Sequence, residues 1–469
     1  MSLNSALLAA SSGLTAVSRQ AMVVADNIAN SGTEGFAPRA VALSSVVAGG
    51  QGTGVRVAGI ERQADQRLNA ALRVASASQA ASERVTDLWR ELETAIGTGD
   101  APGALGARIS ALDSALVQAR TAPESEPRLA RIVDEAGALV RKFASIDSTL
   151  TEARLRADTD VSHSIDRLNH GLQQVEALNA QITRDLLSGG YPNGLLDERT
   201  RIVDTLSQIV PLRELPQANG AIVLMTEGGA IVLNRTAARL DLSGAEGDAP
   251  LGVAINGRPV SMTSGGPLAG GRLDATVQIR DRLIPQAQAQ VDQLATDLVD
   301  RFAGPAADPT LPGGAGGLIL AAGPDPAAPG VAGRLHVNPL ADPAQGGDLW
   351  RLRSGLGAAT PGPVGETVVL DSMLRALSAG TQLVTGETAR DFGGHAARLL
   401  SDMGVARHTA EGTLAFASAN TTQLRERQAA DGVDTDAELQ RLLQVEQAYA
   451  ANARVMRAVD DMLRQLMEI

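Results

Sequence analysis

Ser162-His163-Ser164 sets two hydroxyls beside an imidazole, the pairing from which a hydrolase activates a nucleophile. No G-x-S-x-G turn accompanies it and no triad can be assembled from this spacing, so the three residues read as a solvated helix face. The other histidines, His170, His336, His395 and His408, include no H-E-x-x-H and no pair at i, i+4, so spacing offers no metal site. With Cys 0 there is no thiolate ligand, thiol nucleophile or disulfide. Gly313-Gly314-Ala315-Gly316-Gly317 lacks the Lys-Ser/Thr that would make it a phosphate-binding loop, and it reads as a flexible segment. Carboxylates are abundant, but nothing singles out an acid and a base. The expectation is a protein that is not an enzyme and uses no cofactor and no metal.

Composition narrows the class further. Lys plus Arg total 41 against 53 Asp plus Glu, a net charge of -12, and no stretch concentrates the basic residues into a stripe. Nucleic acid is therefore not an expected partner. With 5 Phe, 2 Trp and 2 Tyr in 469 residues, stacking platforms have little material and the core must be aliphatic. The chain is uncharged up to Arg19, without the basic segment of a cleaved secretory signal. Polar residues interrupt every Ala/Leu/Val stretch, so no membrane insertion is expected.

What must position the functional residues is a set of long helices. Leu3, Leu7, Ala10, Leu14, Val17, Ala21, Val24 and Ile28 recur at 3,4 spacing, and so do Leu442, Val445, Tyr449, Asn452, Met456, Val459, Leu463 and Leu466 near the other end. Two such seams can pack on each other and on the same helices of neighbouring copies; alternatively each is an ordinary amphipathic helix on a globular core. Gly32 and Gly35 stop the first helix, and residues 37–59 read as extended. Helix resumes over 61–96, ends at Gly97-Thr98-Gly99-Asp100, and returns on Leu105 to Leu116 and over 128–187. Period two then appears around Gly228-Gly229 and Asn256-Gly257, the latter a strong hairpin signal. Helix is expected again over 274–302, kinked at Pro285, and over 366–428, whereas 304–365 is the loosest, most turn-rich part.

Asp26-Asn27-Ile28-Ala29-Asn30-Ser31-Gly32-Thr33-Glu34-Gly35-Phe36 resembles the A-N-x-x-N-x-x-T-x-G-[FY] signature of the bacterial flagellar rod, hook and hook-associated proteins. Gly432-Val433-Asp434-Thr435-Asp436-Ala437-Glu438 and Gln447-Ala448-Tyr449-Ala450-Ala451-Asn452-Ala453-Arg454-Val455 are similar to that family's C-terminal segments. The motif residues are thus Asn27, Asn30, Thr33, Gly35, Phe36, Gln447, Tyr449 and Asn452. Thr435, Ala437 and Arg454 depart from the usual Leu, Glu and Lys. Rod and hook members pass from the first motif mainly into β domains, whereas this chain enters well over a hundred residues of helix, as the hook-associated members at the hook-filament junction do. Gly54-Val55-Arg56-Val57 with Arg62, Leu195-Leu196-Asp197-Glu198-Arg199, and Gly270-Gly271-Arg272-Leu273 with Arg280-Asp281 carry the resemblance through the middle.

The resemblance implies a structural protein, a homo-oligomer in a tubular assembly at the distal end of the hook, joining hook to filament. Hook protein or the filament-side junction protein of the same family is the alternative. It implies hook protein, the filament-side junction protein and a flagellar export chaperone as partners. Its implied location is the extracellular flagellum, reached through the type III export apparatus without a cleaved signal. The expected fold is mainly α with a smaller β region, divided into four parts. Residues 1–36 and 432–469 form a terminal coiled-coil domain; 37–210, 272–303 and 366–431 a helical middle domain; 211–271 a β-hairpin region; and 304–365 a Gly/Pro-rich variable outer segment.

Overall fold

The computed structural model describes residues 3–33, 35–48, 51–98, 101–243, 250–263, 265–323 and 328–467. Glu34 of the first motif, the Gly99-Asp100 break and Ile469 lie outside the described residues. In chain order the elements are α1 (Leu3–Ala29), β1 (Arg39–Ala48), β2 (Gln51–Arg62), α2 (Gln66–Ile96), α3 (Leu105–Thr121), α4 (Glu126–Leu187) and α5 (Asn193–Ile209). Then come β3 (Leu212–Pro216), β4 (Ile222–Thr226), β5 (Ile231–Leu233), β6 (Leu240–Ser243), β7 (Gly252–Ile255), β8 (Arg258–Val260), α6 (Arg272–Gln278), a π-helical turn at Ile279–Leu283 and α7 (Ile284–Phe302). The rest comprises β9 (Ile319–Ala321), β10 (Leu335–Val337), α8 (Arg351–Ser354), α9 (Val368–Ser378), α10 (Phe392–Ala430) and α11 (Thr435–Met467). Helix accounts for 62% and strand for 12%, a mainly α protein with small sheets.

Packing divides the chain into two compact units, the first comprising Met1–Ala80, Ser164–Asp274 and Phe416–Ile469, the second Ala81–His163 and Ala275–Ala415. In the first unit, α1 packs on α11 and on the antiparallel hairpin β1-β2. The apolar positions of α4 in this unit, Ile165, Leu168, Leu172, Val175 and Ile182, are all buried, as their 3,4 spacing requires. Gly171 lets α5 approach closely, since a Cβ there would lie 2.6 Å from Leu206. Two separate antiparallel sheets, β3-β4-β5 and β6-β7-β8, follow α5. Each is tied to α4 by an asparagine that bonds a strand residue's backbone at both N–H and C=O. Asn169 does so with Leu240 (2.8 Å each), and Asn179 with Ile222 (2.9 and 3.2 Å). Asn256 (φ 52) and Gly257 (φ 75) make the tight turn between β7 and β8.

In the second unit one aliphatic core gathers α3 and parts of α2, α4, α7, α9 and α10 around Phe143, Phe302 and Phe392. Pro285 stands at the start of α7, within the unbroken helical run from Arg272 to Phe302 and directly after the π turn, where Ile284 N–H bonds Ile279 O five residues back. The wider turn accommodates a proline that has no N–H to give its own i−4 carbonyl. Two expectations need correction here. Helix over 366–428 is interrupted between Ser378 and Phe392 by a loop closed by the Thr381–Arg390 bridge. Residues 304–365 are turn-rich but not loosely packed: Leu311, Leu318, Ile319, Val331, Leu335 and Leu352 enter the same core as the helices. Asp308 fastens the segment by accepting bonds from Thr310 N and Oγ1 and from Leu356 N.

Helix α1 is one element long and apolar enough to cross a membrane by length and composition, with a mean hydropathy of 1.2 over 18 residues. A search for uninterrupted apolar runs overlooks it because Ser11, Ser12, Thr15, Ser18, Arg19 and Gln20 break the run. Its seam positions are covered or half-covered by the first unit.

Asp147 of α4 gives this core a pH dependence. Gln288 of α7 donates to Asp147 and to Asp292 at 2.8 and 3.1 Å. Burial pushes the Asp147 carboxyl above its usual range, the Gln288 bond pulls it down, Asp292 pushes it up and Arg334 pulls it down; the net direction is up. The folded chain thus holds this proton more tightly than the unfolded one, a contribution to stability present at acid pH and lost as pH rises through the folded value. Asp147→Asn, which still accepts from Gln288, is expected to raise Tm by about 1 °C near pH 7 and by nothing near pH 3.5. Calorimetry at the two pH values checks this, and an equal shift at both would refute it.

Candidate functional site

The two motif-bearing stretches near the ends of the sequence meet in the first unit, and the first motif builds the joint. Asn27 lies in the last turn of α1 with 0% exposure. Its Nδ2 donates to Arg39 O (2.9 Å) and to Glu438 Oε1 (3.3 Å), and its Oδ1 accepts from Arg39 N (3.0 Å). One carboxamide therefore ties α1 to the first residue of β1 and to the first turn of α11. Asn30 closes the helix end by donating to Asp26 O (2.9 Å) and accepting from Thr33 Oγ1 (3.3 Å). Gly35 has φ +82, a left-handed conformation that disfavours any side chain, and a Cβ would also meet Arg201 Cβ at 3.3 Å.

Arg39 and Arg62 face each other across the hairpin register, a repulsive pair if left alone. Asp197 of α5 resolves it by accepting from Arg39 at Oδ2 (2.6 Å) and from Arg62 at Oδ1 (2.7 Å). Arg39 also pairs with Asp26 and lies 4.7 Å from the Phe36 ring centroid. Arg62 reaches Gly35 O at 3.2 Å. Farther along the same face, Arg73, 5% exposed, pairs with Asp204 (2.5 Å) and Glu214 (2.8 Å). Burial pushes the Asp204 carboxyl up against the opposing pull of Arg73. On the α11 side, Asp434 caps the helix by accepting from Asp436 N and Ala437 N, and Glu438 is held by Arg441 at 2.6 Å.

The seam residues are brought together only in part. Val17, Val24 and Val459 are buried, and Leu3, Leu7, Leu14, Ile28, Leu442, Val445, Asn452 and Met456 are half-buried. Asn27 meets Glu438, and Gly13 meets Asn452, so the two helices run antiparallel. Tyr449, Leu463 and Leu466 of the seam are exposed (52, 38 and 59%), and so is motif residue Gln447. Sequence reasoning missed Arg39 altogether and gave Glu438, Asp197 and Arg62 no role. The signal for Arg39 and Arg62 was their position at the two ends of a hairpin; nothing local identified their partners. Among the described residues no three metal-capable side chains gather. The joint is a clamp of amides and ion pairs, able to hold two chain ends and to present their outer faces.

Gly13 allows a direct test of the helix pairing. A Cβ there would lie 2.9 Å from Asn452 Oδ1 and 3.0 Å from Nδ2. Mid-helix Gly→Ala ordinarily gains about 1 kcal/mol. Gly13→Ala is expected to gain nothing in the parent and about 1 kcal/mol in an Asn452→Ala background, a coupling that a double-mutant cycle by urea denaturation reads. Equal gains in both backgrounds would show that the helices do not meet there.

Residues 66–307 match the family described as flagellar hook-associated protein FlgK helical domain. Residues 7–36 match flagella basal body rod protein, and 429–469 match the flagellar basal body rod FlgEFG protein C-terminal family. Flagellar hook-associated protein 1 of Escherichia coli (strain K12) is 24% identical over 261 residues, covering 49% of this chain and 43% of that protein. That of Bacillus subtilis (strain 168) is 22% identical over 219 residues, covering 44% and 43%. The matched part thus spans less than half the length of these curated relatives. The structure of the flagellar hook junction protein FlgK from Burkholderia pseudomallei is similar at 20% identity and a TM-score of 0.46, covering 56% of this chain and 47% of that one. The helical-domain match takes in more than half of the sequence, between rod-type motifs whose residues meet at one joint, and the chain belongs to the FlgK helical domain family of flagellar hook-associated proteins.

Proposed function

We propose that this protein is a structural subunit of the bacterial flagellum that assembles at the distal end of the hook and joins hook to filament. The observation that carries the reading is the joint at Asn27, Arg39 and Glu438, which locks both ends of the chain into one antiparallel helix pair and leaves much of the outer face of α11 apolar and uncovered. A helix that keeps Leu439, Leu443, Tyr449 and Leu466 exposed is suited to burying them against neighbouring copies. Hook protein on one side, the filament-side junction protein on the other and an export chaperone before assembly are the partners of this reading, with export through the type III apparatus and no cleaved signal. It includes no catalysis and no membrane insertion. The four-part division of the chain, with a terminal coiled-coil domain at 1–36 and 432–469, belongs to the same proposal.

The experiment is deletion of residues 459–469, which removes Val459, Leu463 and Leu466 from the seam. Cells carrying it are expected to keep hooks, lose attached filaments and release filament subunits into the medium. Gold-labelled antibody against the full chain should mark the distal hook end. Normal filament retention would overturn the junction role, and label along the whole hook would assign the chain to the hook itself.

A further inference from the structure

Beside the joint lies a hollow of about 490 Å³ whose walls include the apolar side chains of Val41, Val445 and Ala448 together with Arg39, Glu438 and Arg441. Two buried polar atoms of these residues have no hydrogen-bond partner: Glu438 Oε2, on a residue 3% exposed, and Arg39 Nε. Buried donors and acceptors are ordinarily satisfied, so an open acceptor and an open donor beside one hollow ask for a group that supplies both. Arg441 holds the other oxygen of Glu438 from a largely exposed position, an i,i+3 pair weak enough to swing aside. The fitting occupant is neutral, carries a carboxamide and has apolar neighbours.

The tip of α11 offers this set. Leu463, Leu466 and Met467 are exposed (38, 59 and 87%), with the exposed carboxamide of Gln465 among them. The register, set by Asn27 with Glu438 and Gly13 with Asn452, places Leu3, the first described residue of α1, opposite Met462. A chain cannot fill its own hollow, because Ala448 and Gln465 sit about 25 Å apart on the same helix at 1.5 Å per residue. We propose that the α11 tip of one copy docks head to tail into the joint hollow of a second copy, Gln465 bridging Glu438 Oε2 and Arg39 Nε. This rests on the reading that copies of the chain assemble, and it specifies their contact. A head-to-tail contact closes into a ring or runs on as an open helix, according to the rotation between successive copies.

The chain has no cysteine, so single cysteines report cleanly. Full-length Ala448→Cys and Met467→Cys proteins carrying different tags are mixed at about 1 mM total, where weak interfaces are populated, and joined with a short bismaleimide. The mixed 448–467 product is expected to exceed both same-site products roughly tenfold, and Gln465→Glu in the Met467→Cys chain to cut it roughly fivefold by setting a carboxylate against Glu438. Equal yields of the three products, a dominant 467–467 product or no product would overturn the docking. A mixed product unchanged by Gln465→Glu would overturn the role of the carboxamide. Absence of the mixed product in protein that still restores filament attachment would reject this contact alone, whereas a mixed product in protein that never marks the hook end would reject the junction role alone.

Discussion

Asn27→Ala is expected to destabilise the first unit by about 2–4 kcal/mol, a large loss for a single small side chain. The carboxamide has 0% exposure and serves three partners at once. Truncation takes the partners from the N–H and C=O of Arg39, a half-buried residue, and each group left unmet costs up to roughly 1–3 kcal/mol, while Glu438 keeps Arg441. Asn27→Asp separates the donor role from mere shape. Its carboxylate still accepts from Arg39 N, but it donates nothing and sets a second negative group near Glu438 Oε1, which the native amide meets at 3.3 Å. Like charges at that distance raise the proton affinity of the pair, so the folded pair holds a proton more tightly than the unfolded chain does. The Asp variant should therefore be less stable than the Ala variant near neutral pH and should regain ground below the ordinary carboxylate range. Urea denaturation at the two pH values, with hydrogen exchange along α1 and α11, measures both effects. A loss below about 1 kcal/mol for Ala, or an Asp-to-Ala difference independent of pH, would mean that Asn27 does not hold the joint.

How much of this was readable before the structure follows from what periodicity reports. A 3,4 pattern records which side of a helix is covered, and the buried positions of α4 and the seam of α1 fall where the pattern puts them. It does not record what covers them. The contact from Asn27 to Glu438 joins residues 411 apart, and no local rule links a carboxamide at one end to a carboxylate at the other. The pattern on α11 also runs on past Met462, so Leu463 and Leu466 look like seam residues although both are exposed among the described residues. Strand β3 lies inside the 211–271 stretch read as β hairpins but was not singled out, because Leu212–Pro216 is short and mixes charge with apolar residues in a way that does not stand out from a loop.

The candidate site was legible as a motif and illegible as a mechanism. Asn27, Asn30, Thr33 and Gly35 were picked out by their match to the family signature, and each has a physical task at the end of α1. Their charged counterparts were hidden because Arg39, Arg62 and Asp197 look like surface residues one at a time. Only the hairpin register that sets the two arginines opposite each other makes a carboxylate between them necessary. Residues 304–365 teach the converse. Glycine and proline report turns, and turns can be packed tightly, as Asp308 and its three bonds show.

Arg301 is where the same blindness predicts the largest loss in the second unit. Asp297 and Arg301 stand four apart on α7, a spacing that reads as an exposed helix pair worth a few tenths of a kcal/mol. In the structure their side chains are 7 and 2% exposed, joined at 2.6 Å. The guanidinium donates to the carbonyls of Ala376 and Leu377 in the last turn of α9 and to those of Ala379 and Arg390, as well as to Thr381 Oγ1. Thr381 in turn donates to Asp297 and bonds His395. One planar fork thereby closes the end of a helix, whose last carbonyls have no partner of their own, and pins the loop between α9 and α10. Arg301→Lys keeps the charge but cannot span these acceptors, and should lose about 3 kcal/mol. Arg301→Met leaves Asp297 buried without a cation and should lose about 3–5 kcal/mol. Adding Asp297→Asn to Arg301→Met should return at least about 1 kcal/mol of it, because the stranded charge is then gone. Denaturation of the full chain, with protease sensitivity at residues 380–391 as a local reporter, separates these outcomes. A lysine variant within about 1 kcal/mol of the parent would show that charge alone, and not the fork, holds this corner of the fold.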